Sequence, residues 1–410
     1  MRHRAARASL LPAPAIDLKA GDLKAGGGDG AVEPDPARVL HVLLVEPTYG
    51  PGGSHAAWAD GIVRHSRHRV SLVTHPERFW RWRMRGGAVT LAAQIEAVVA
   101  TAGRPDVLLV SDMVDVAALL GLTRSTLAGV PVVLYLHENQ LVHVASRDGA
   151  TDELYATINW TSMAAADAIW CNSQFHLDSV CAALPPFLAR APDLPHTAFV
   201  DDVFTRLAVV PLGVEVAALV AASRRSSFDA GRPPLVLWNQ RWDHDKDPTA
   251  LFRVLKALAR DGVPFELALA GVNTRHDPQE FDDIRASLGE RVVQAGALDR
   301  AAYVELLLRA DVHVSTARHE YFGIASVEAI AAGAVPLLPH RLSYPELVPP
   351  AFHDAALYPS KLYDHLAAVL TDLPAARVRI DGLREAMLRH DWAAVIGSYD
   401  RGLAAVVAAS

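Results

Sequence analysis

Glu320 and Glu328, with seven residues between them, stand on either side of Phe322-Gly323-Ile324. The stretch before them, Asp311-Val312-His313-Val314-Ser315, has the pattern of a buried strand, and a helix-forming run begins after Gly323. The first backbone N–H groups of that helix would face the carboxyl end of the strand, and such a helix start attracts phosphate. One carboxylate in the turn and one just over a helical turn inside the helix suit the hydroxyls of a bound sugar and a bound ribose. Taken alone, the pair is equally a strand–loop–helix unit with two solvated glutamates. Arg241 and Lys246 give it weight. They lie in Asn239-Gln240-Arg241-Trp242-Asp243-His244-Asp245-Lys246-Asp247-Pro248, after an earlier strand of the same half, and bring the positive charge a diphosphate needs.

The first half has its own polar turns. Tyr49-Gly50-Pro51-Gly52-Gly53-Ser54-His55 follows an apolar run and precedes a helical pattern. Its glycines allow a backbone to approach a ligand closely, but the spacing is not Gly-x-Gly-x-x-Gly, so no dinucleotide fingerprint is present. His137-Glu138-Asn139-Gln140 and Asn172-Ser173-Gln174 follow two further apolar runs. Arg78-Phe79-Trp80-Arg81-Trp82-Arg83-Met84-Arg85 interleaves four arginines with three aromatics. That composition suits single-stranded or loop RNA, and equally an amphipathic loop whose tryptophans pack on the domain. Asp243-His244-Asp245 spells a possible divalent-cation pair, but the adjacent Lys246 favours ion pairing, and His65/His68 and His137/His143 lack a third partner. No metal is expected.

These turns need a scaffold. Short apolar runs at 40–46, 70–74, 107–110, 132–136, 168–171 and 207–211 alternate with helical segments, and a second series at 235–238, 265–270, 291–295, 311–315 and 335–338 repeats the alternation. The pattern predicts an α/β protein of two doubly wound, Rossmann-like domains facing across a cleft, with ligands beyond the carboxyl ends of the strands. Residues 1–37, with the near-repeat Asp17-Leu18-Lys19-Ala20-Gly21/Asp22-Leu23-Lys24-Ala25-Gly26, read as a disordered extension. The first domain is expected over 38–222, a linker over 223–234, the second domain over 235–385, and a C-terminal helix over 386–410 that could cross back to the first domain. Residues 185–202 read as an irregular surface excursion. The 410 residues carry a formal net charge of −7, which excludes a generally basic nucleic-acid coat but leaves room for a local basic patch. Cys171 and Cys181 have neither zinc nor disulfide-framework spacing. With no apolar run of spanning length and no signal-peptide core, a soluble cytoplasmic protein is expected.

With these motifs in place, the second half resembles the retaining nucleotide-sugar glycosyltransferases of GT-B fold. The features that match are Arg241 and Lys246, the Glu320/Glu328 pair around Phe322-Gly323, Gly333-x-Val335-Pro336 and Pro345-Glu346. Tyr49…Gly52-Gly53-Ser54-His55, Trp80-Arg81-Trp82-Arg83, His137-Glu138-Asn139-Gln140-Leu141, Arg241-Trp242-x-His244-Asp245-Lys246-Asp247-Pro248 and Ser315-Thr316-Ala317-x-His319-Glu320-x-Phe322-Gly323 narrow the likeness. Over roughly residues 40–350 the chain resembles the tRNA-queuosine mannosyltransferase family; Pro51 widens its glycine turn relative to that pattern. The resemblance implies transfer of mannose from GDP-mannose to the cyclopentenediol of queuosine in a tRNA anticodon loop, with retention and an α-linkage. It also implies that Arg241 and Lys246 hold the diphosphate, Glu328 the ribose, and Glu320 with the Phe322–Gly323–Ile324 backbone the mannose. His137 would face the reacting side of the sugar, and the Gly52-Gly53 turn would close on the phosphates. Ser54, His55, Glu138 and Asn139 are candidates for acceptor contacts, with His55 or Glu138 as side-chain alternatives to the diphosphate for taking the acceptor proton. Arg81, Trp82 and Arg83 would meet the tRNA. No cofactor beyond the donor and no stable membrane association is expected. A lipid or small-molecule acceptor on the same fold, and a non-catalytic nucleotide-sugar or RNA-binding regulator, are the other classes. Against the first stands the lack of a clear basic amphipathic helix near the first-domain rim, and against the second the complete set of Arg241, Lys246, Glu320, Glu328 and His137.

Overall fold

The structure, a computed structural model, describes residues 38–50, 53–142, 153–271 and 278–410. The expected N-terminal extension, Pro51, Gly52 and His143 lie outside them. Apolar runs become strands β1 (His41–Tyr49), β2 (Arg69–Pro76), β3 (Val107–Ser111), β4 (Val132–Leu136), β5 (Ala168–Cys171), β6 (Leu207–Val209), β7 (Leu235–Trp238), β8 (Glu266–Ala270), β9 (Val292–Gly296), β10 (Val312–Val314), β11 (Val335–Pro339) and β12 (Leu357–Tyr358). The helices that matter for function are α1 (Ser54–His65), α2 (Trp80–Ala102), α3 (Glu153–Ala165), α4 (Gln174–Leu188), α5 (Pro248–Arg260), α6 (Arg300–Arg309), α7 (Ile324–Ala331) and α8 (Trp392–Ala409).

Two six-stranded sheets result, ordered β2-β1-β3-β4-β5-β6 and β12-β11-β10-β7-β8-β9, and every strand pair is parallel. Strand order reverses between β1 and β3, where Val42 pairs with Val107, and between β7 and β10, where Val312 pairs with Val236. In each sheet this reversal leaves a crevice beyond the carboxyl ends of two strands, because the crossovers on either side lead to opposite faces. Strands β3, β4, β7 and β8 are buried along their whole length, as sheets covered by helices on both faces require.

Four stretches differ from the sequence reading. The run from Arg78 to Arg85 is not a loop: from Trp80 onward it forms the first turns of α2. Pro185 and Pro186 lie within α4 rather than in an irregular excursion. They stand in its last turn, where their fixed φ is already helical although each gives up a ladder N–H. Residues 223–234 are not a free tether but are bound to the second sheet around the fully buried Asp311. Its carboxylate accepts from Ser226 Oγ at 2.5 Å, from Leu235 N at 2.9 Å and from Arg377 Nη2 at 2.7 Å. The two-residue β12 was too short to be seen by pattern.

Helix α8 packs on the first sheet, far from its neighbours in sequence. Trp58 Nε1 donates to Tyr399 Oη at 3.2 Å, Ser66 Oγ to Asp400 at 2.6 Å, and the Tyr135 and Tyr399 rings stack at 5.8 Å. Trp392 fills a slot between Gly61 and Gly213, where a Cβ on either glycine would collide with the indole. Among the described residues, no helix is long and apolar enough to cross a membrane.

Candidate active site

The carboxyl ends of the two sheets face each other, and the polar turns meet there. On the first-domain side, β1 delivers Glu46 with no exposed surface, although a charge so placed needs partners. Its Oε1 accepts from Thr48 N at 2.7 Å and its Oε2 from His55 Nδ1 at 3.0 Å. His137, at the end of β4, lies 3.9 Å from the same Oε2 through Nε2, and the two imidazole rings are 4.2 Å apart. The turn that carries His137 is fixed by Asp112 at the end of β3. Its Oδ1 accepts from His137 N at 3.0 Å, and Asn159 on α3 ties the Asp112 carbonyl to Gln140 N.

The two histidines differ in charge. Burial opposes ionisation of His55, but the adjacent Glu46, aided by Asp112 and Glu138, outweighs it and pushes the pKa up to about 9. Burial and then the charges of His55 and His176 hold His137 well below the ordinary value. Burial raises Asp112 to about 7, His55 opposing and Glu138 reinforcing the rise. At neutral pH His55 is therefore a cation, which removes it as an acceptor of the substrate's proton. Glu46, His55 and His137 place three potential ligand atoms within 4.8 Å of one another, partners for His137 that its spacing from His143 did not reveal, and the shortest contact among them is the Glu46–His55 hydrogen bond at 3.0 Å.

On the second-domain side, Lys246 Nζ contacts His319 O at 2.8 Å, Glu320 Oε2 at 3.2 Å and Asp245 Oδ2 at 3.2 Å. Burial disfavours its charge, but Glu320 and Asp245 more than compensate and hold the ammonium well above its usual range. Arg241 is accessible to solvent. Desolvation by the surrounding protein opposes its charge, and Asp245, then Glu138 of the first domain, then Asp243 and Glu320 overcome it. Asp243 accepts from His244 N at 2.7 Å, capping a short helical turn. Gly323 takes φ 100° at the N-cap of α7, a conformation a side chain would strain, with the Tyr344 ring against it. Phe322 is buried, and Ile324 opens the helix. Glu328, nearly buried, accepts from Arg300 Nη1 at 2.5 Å and from Tyr303 Oη at 3.1 Å, both on α6.

Glu46, Asp112, Arg300 and Tyr303 were not singled out from sequence. The available signals were a carboxylate closing an apolar strand run, another directly after the next strand, and an arginine opening a helix of the same half. Other anticipated residues fall differently. Ser54 is exposed at the first position of α1, and Gly53 is its N-cap. Glu138 accepts from Gln140 Nε2 at 3.1 Å. Asn139 has no exposed surface, and its Nδ2 donates to Tyr321 Oη at 3.4 Å across the cleft, so that group ties the two domains together. Along α2, Trp80 and Met84 turn inward toward Tyr155, whereas Trp82 keeps 69% of its surface exposed. Arg81 is exposed with its guanidinium over the Trp80 ring, and Arg83 is half-buried beside His75.

Several buried polar atoms at these facing strand ends have no hydrogen-bond partner among the described residues: His137 Nε2, Asp112 Oδ2, Asn139 Oδ1, Asn239 Oδ1 and Gln240 Oε1. Buried polar atoms in folded interiors are ordinarily met by protein, water or a ligand, and these five line the facing strand ends.

Comparison with known proteins gives the chain's likenesses. Residues 41–214 match the family described as tRNA-queuosine alpha-mannosyltransferase N-terminal, and residues 221–385 match glycosyl transferases group 1. The chain is 33% identical over 316 residues to the tRNA-queuosine alpha-mannosyltransferase of Drosophila melanogaster, covering 75% of this chain and 82% of that protein. It is 26% identical over 208 residues to a GDP-mannose:cellobiosyl-diphosphopolyprenol alpha-mannosyltransferase of Xanthomonas campestris, covering 48% of this chain and 52% of that one. Among solved structures, a sucrose-phosphate synthase from Thermosynechococcus elongatus superposes with a TM-score of 0.66 at 16% identity, over 89% of this chain and 99% of that one. Anabaena HepE in complex with UDP gives 0.65 at 16%, with the same coverage. At such identity these structures establish the fold, which is GT-B.

Proposed function

The chain belongs to the tRNA-queuosine α-mannosyltransferase family, and from that membership we propose that it transfers mannose from GDP-mannose to the cyclopentenediol of queuosine in a tRNA anticodon loop, with retention of the α-linkage. It is a glycosyltransferase, and the expected catalytic class is met. What supports the donor reading is the pair of cations beyond β7, Arg241 and Lys246, set opposite the Glu46–His55–His137 group of the other domain.

In this reading Arg241 and Lys246 bind the diphosphate, and the first N–H groups of α7, which have no intrahelical partner, lie where phosphate charge is favoured. Charge developing on the departing GDP is met by these preorganised groups in place of a metal ion. Glu328 takes the ribose hydroxyls, held in register by Arg300 and Tyr303. Glu320 and the Phe322–Gly323 backbone take the mannose, with His137 on its reacting side. The bond from the anomeric carbon to the phosphate breaks, and a bond from the same carbon to an acceptor hydroxyl forms on the same face. The hydroxyl proton passes to the released diphosphate, or to Glu138, since His55 already carries its own. Ser54 borders the acceptor, and Arg81, Trp82 and Arg83 on α2 contact the tRNA. Such an enzyme works where tRNA is, in the cytoplasm.

The test is incubation with queuosine-containing tRNA and a panel of nucleotide sugars, read by nucleoside mass spectrometry. One hexose added to queuosine from GDP-mannose alone is the expected result. Transfer from another donor, or to a polyprenyl-diphosphate saccharide included as competitor but not to tRNA, would overturn it.

A further inference from the structure

Glu46 has no place in the roles above, yet it is a fully buried carboxylate at the cleft, and it sits at the strand-order reversal of the first sheet, where ligands gather. Its two oxygens are differently committed. One is spent on the backbone of its own turn at Thr48 N, which fixes the carboxylate in place. The other grips His55 Nδ1 at 3.0 Å and stands 3.9 Å from His137 Nε2. With Nδ1 engaged, Nε2 is the only ring nitrogen of His55 that can donate to a ligand. His55 lies in the first turn of α1, right after the glycine turn, and Gly53 N donates to Gly50 O at 3.0 Å to close that turn. A cationic side chain and a helix start thus coincide on the first-domain side, and Glu138 acts on both His55 and Arg241 of the second domain.

We propose that Glu46 is a positioning residue for transfer, which orients His55 through Nδ1 and maintains it as the cation that meets the diphosphate charge from the first-domain side. This rests on the diphosphate-donor reading given above. Glu46 does not touch substrate; it acts through His55. The carboxylate also separates the two imidazoles by role, since two adjacent rings cannot both hold a proton cheaply. The charged and titratable groups facing His55 are Glu46 on β1, Asp112 after β3, and His137 and Glu138 after β4; His176 on α4 acts on His137. Carboxylates dominate around His55, so the local field favours its proton.

Glu46→Gln keeps the shape and the Thr48 contact while removing the charge, and Glu46→Asp keeps the charge while withdrawing it from the ring. Two readouts apply. The first is the titration of the His55 imidazole followed by NMR in the full-length protein, which needs no turnover. In the wild type the midpoint should lie near 9, and in Glu46→Gln it should fall toward the ordinary value of 6.5. The second is the pH profile of mannosyl transfer. The alkaline limb of kcat should move toward acid by about two pH units in Glu46→Gln, the deficit at pH 8 reaching about tenfold or more and shrinking at pH 6, while Glu46→Asp falls between. A wild-type His55 midpoint below 7 overturns the proposal, even if neither variant folds. So do a folded Glu46→Gln protein with a deficit equal at every pH, and micromolar binding of Zn²⁺ or Mn²⁺ that the variant loses. A wild type that binds no GDP and transfers no mannose refutes the donor reading instead, and the imidazole titration still reports on Glu46.

Discussion

Lys246 and Glu320 form one electrostatic unit, so changing either alters the other. Lys246→Ala removes the proposed charge-assisted contact to the donor and leaves Glu320 and Asp245 without their cation. GDP affinity should fall by about 1.5–3 kcal/mol, roughly 10- to 100-fold by calorimetry. Unchanged affinity would remove Lys246 from the phosphate clamp. Glu320→Ala leaves Lys246 paired with Asp245 and should spare GDP binding while lowering transfer. Glu328→Ala takes the acceptor away from Arg300 and Tyr303 and should weaken GDP alone; equal losses in the two glutamate variants would refute their division of labour. The same scale sets a pH dependence of stability. His55 has its pKa raised from 6.5 to about 9 in the folded protein, so its contribution is fully present below 6.5 and is lost as pH rises through 9. Thermal melts from pH 7 to 9.5 should show the midpoint descending, and Glu46→Gln should flatten that descent. Arg241, Lys246 and Glu320 were legible because they fall in polar turns between unmistakable apolar runs, and Glu328 because its spacing from Glu320 sets it just over a helical turn past Gly323. Glu46 was not, because a single carboxylate inside an apolar run looks the same whether it is solvated beyond a strand end or buried against a histidine nine residues away.

At the level of elements, α2 shows what a composition cannot tell. Read as a string, Arg78 to Arg85 is one basic-aromatic patch. Wound at 3.6 residues per turn, it splits: Trp80 and Met84 are four apart and pack on Tyr155, while Phe79 and Trp82 point to solvent, 77% and 69% exposed. The arginines divide as well, Arg81 outward and Arg83 half inward. Arg81→Ala/Arg83→Ala should therefore weaken tRNA binding and reduce its salt dependence with GDP affinity unchanged, Arg81 contributing more. Binding across a salt series, with a melt to exclude unfolding, is the measurement, and wild-type binding by the folded double variant would make the patch structural. Trp82 is exposed, so Trp82→Ala should share the tRNA phenotype without loss of stability, as Trp80→Ala would not. The strands were legible for the converse reason: in a parallel sheet covered on both faces they are continuous apolar runs that need no partner to be recognised. Pro185 and Pro186 misled only by position: a proline's φ is compatible with a helix, and this one ends two residues beyond Pro186.

For the whole molecule, the cleft is not an open gap. Glu346 of the second domain accepts from Gln174 N at 2.8 Å and Phe175 N at 3.1 Å, capping α4 of the first, and Asn139 reaches Tyr321. A carboxylate at a helix start contributes about 0.3–1 kcal/mol when exposed. Glu346→Ala should therefore leave the melting midpoint nearly unchanged but widen the distribution of interdomain distances between spin labels on the two halves; an unaltered distribution would mean that the contact does not restrain the domains. These contacts join residues more than 150 positions apart, which is why the facing of the two domains could be inferred from fold logic but not its particular pairs. The last helix has a consequence of another kind. Trp392 and Tyr399 complete the packing around Trp58, Gly61 and Tyr135, so the first half of the chain to leave the ribosome cannot finish its core until residues beyond 392 have been made. For most of its synthesis that half must wait with an unfilled slot, and a premature stop after β12 would yield a chain holding Arg241, Lys246, Glu320, Glu328 and both histidines yet unable to finish the first sheet's core.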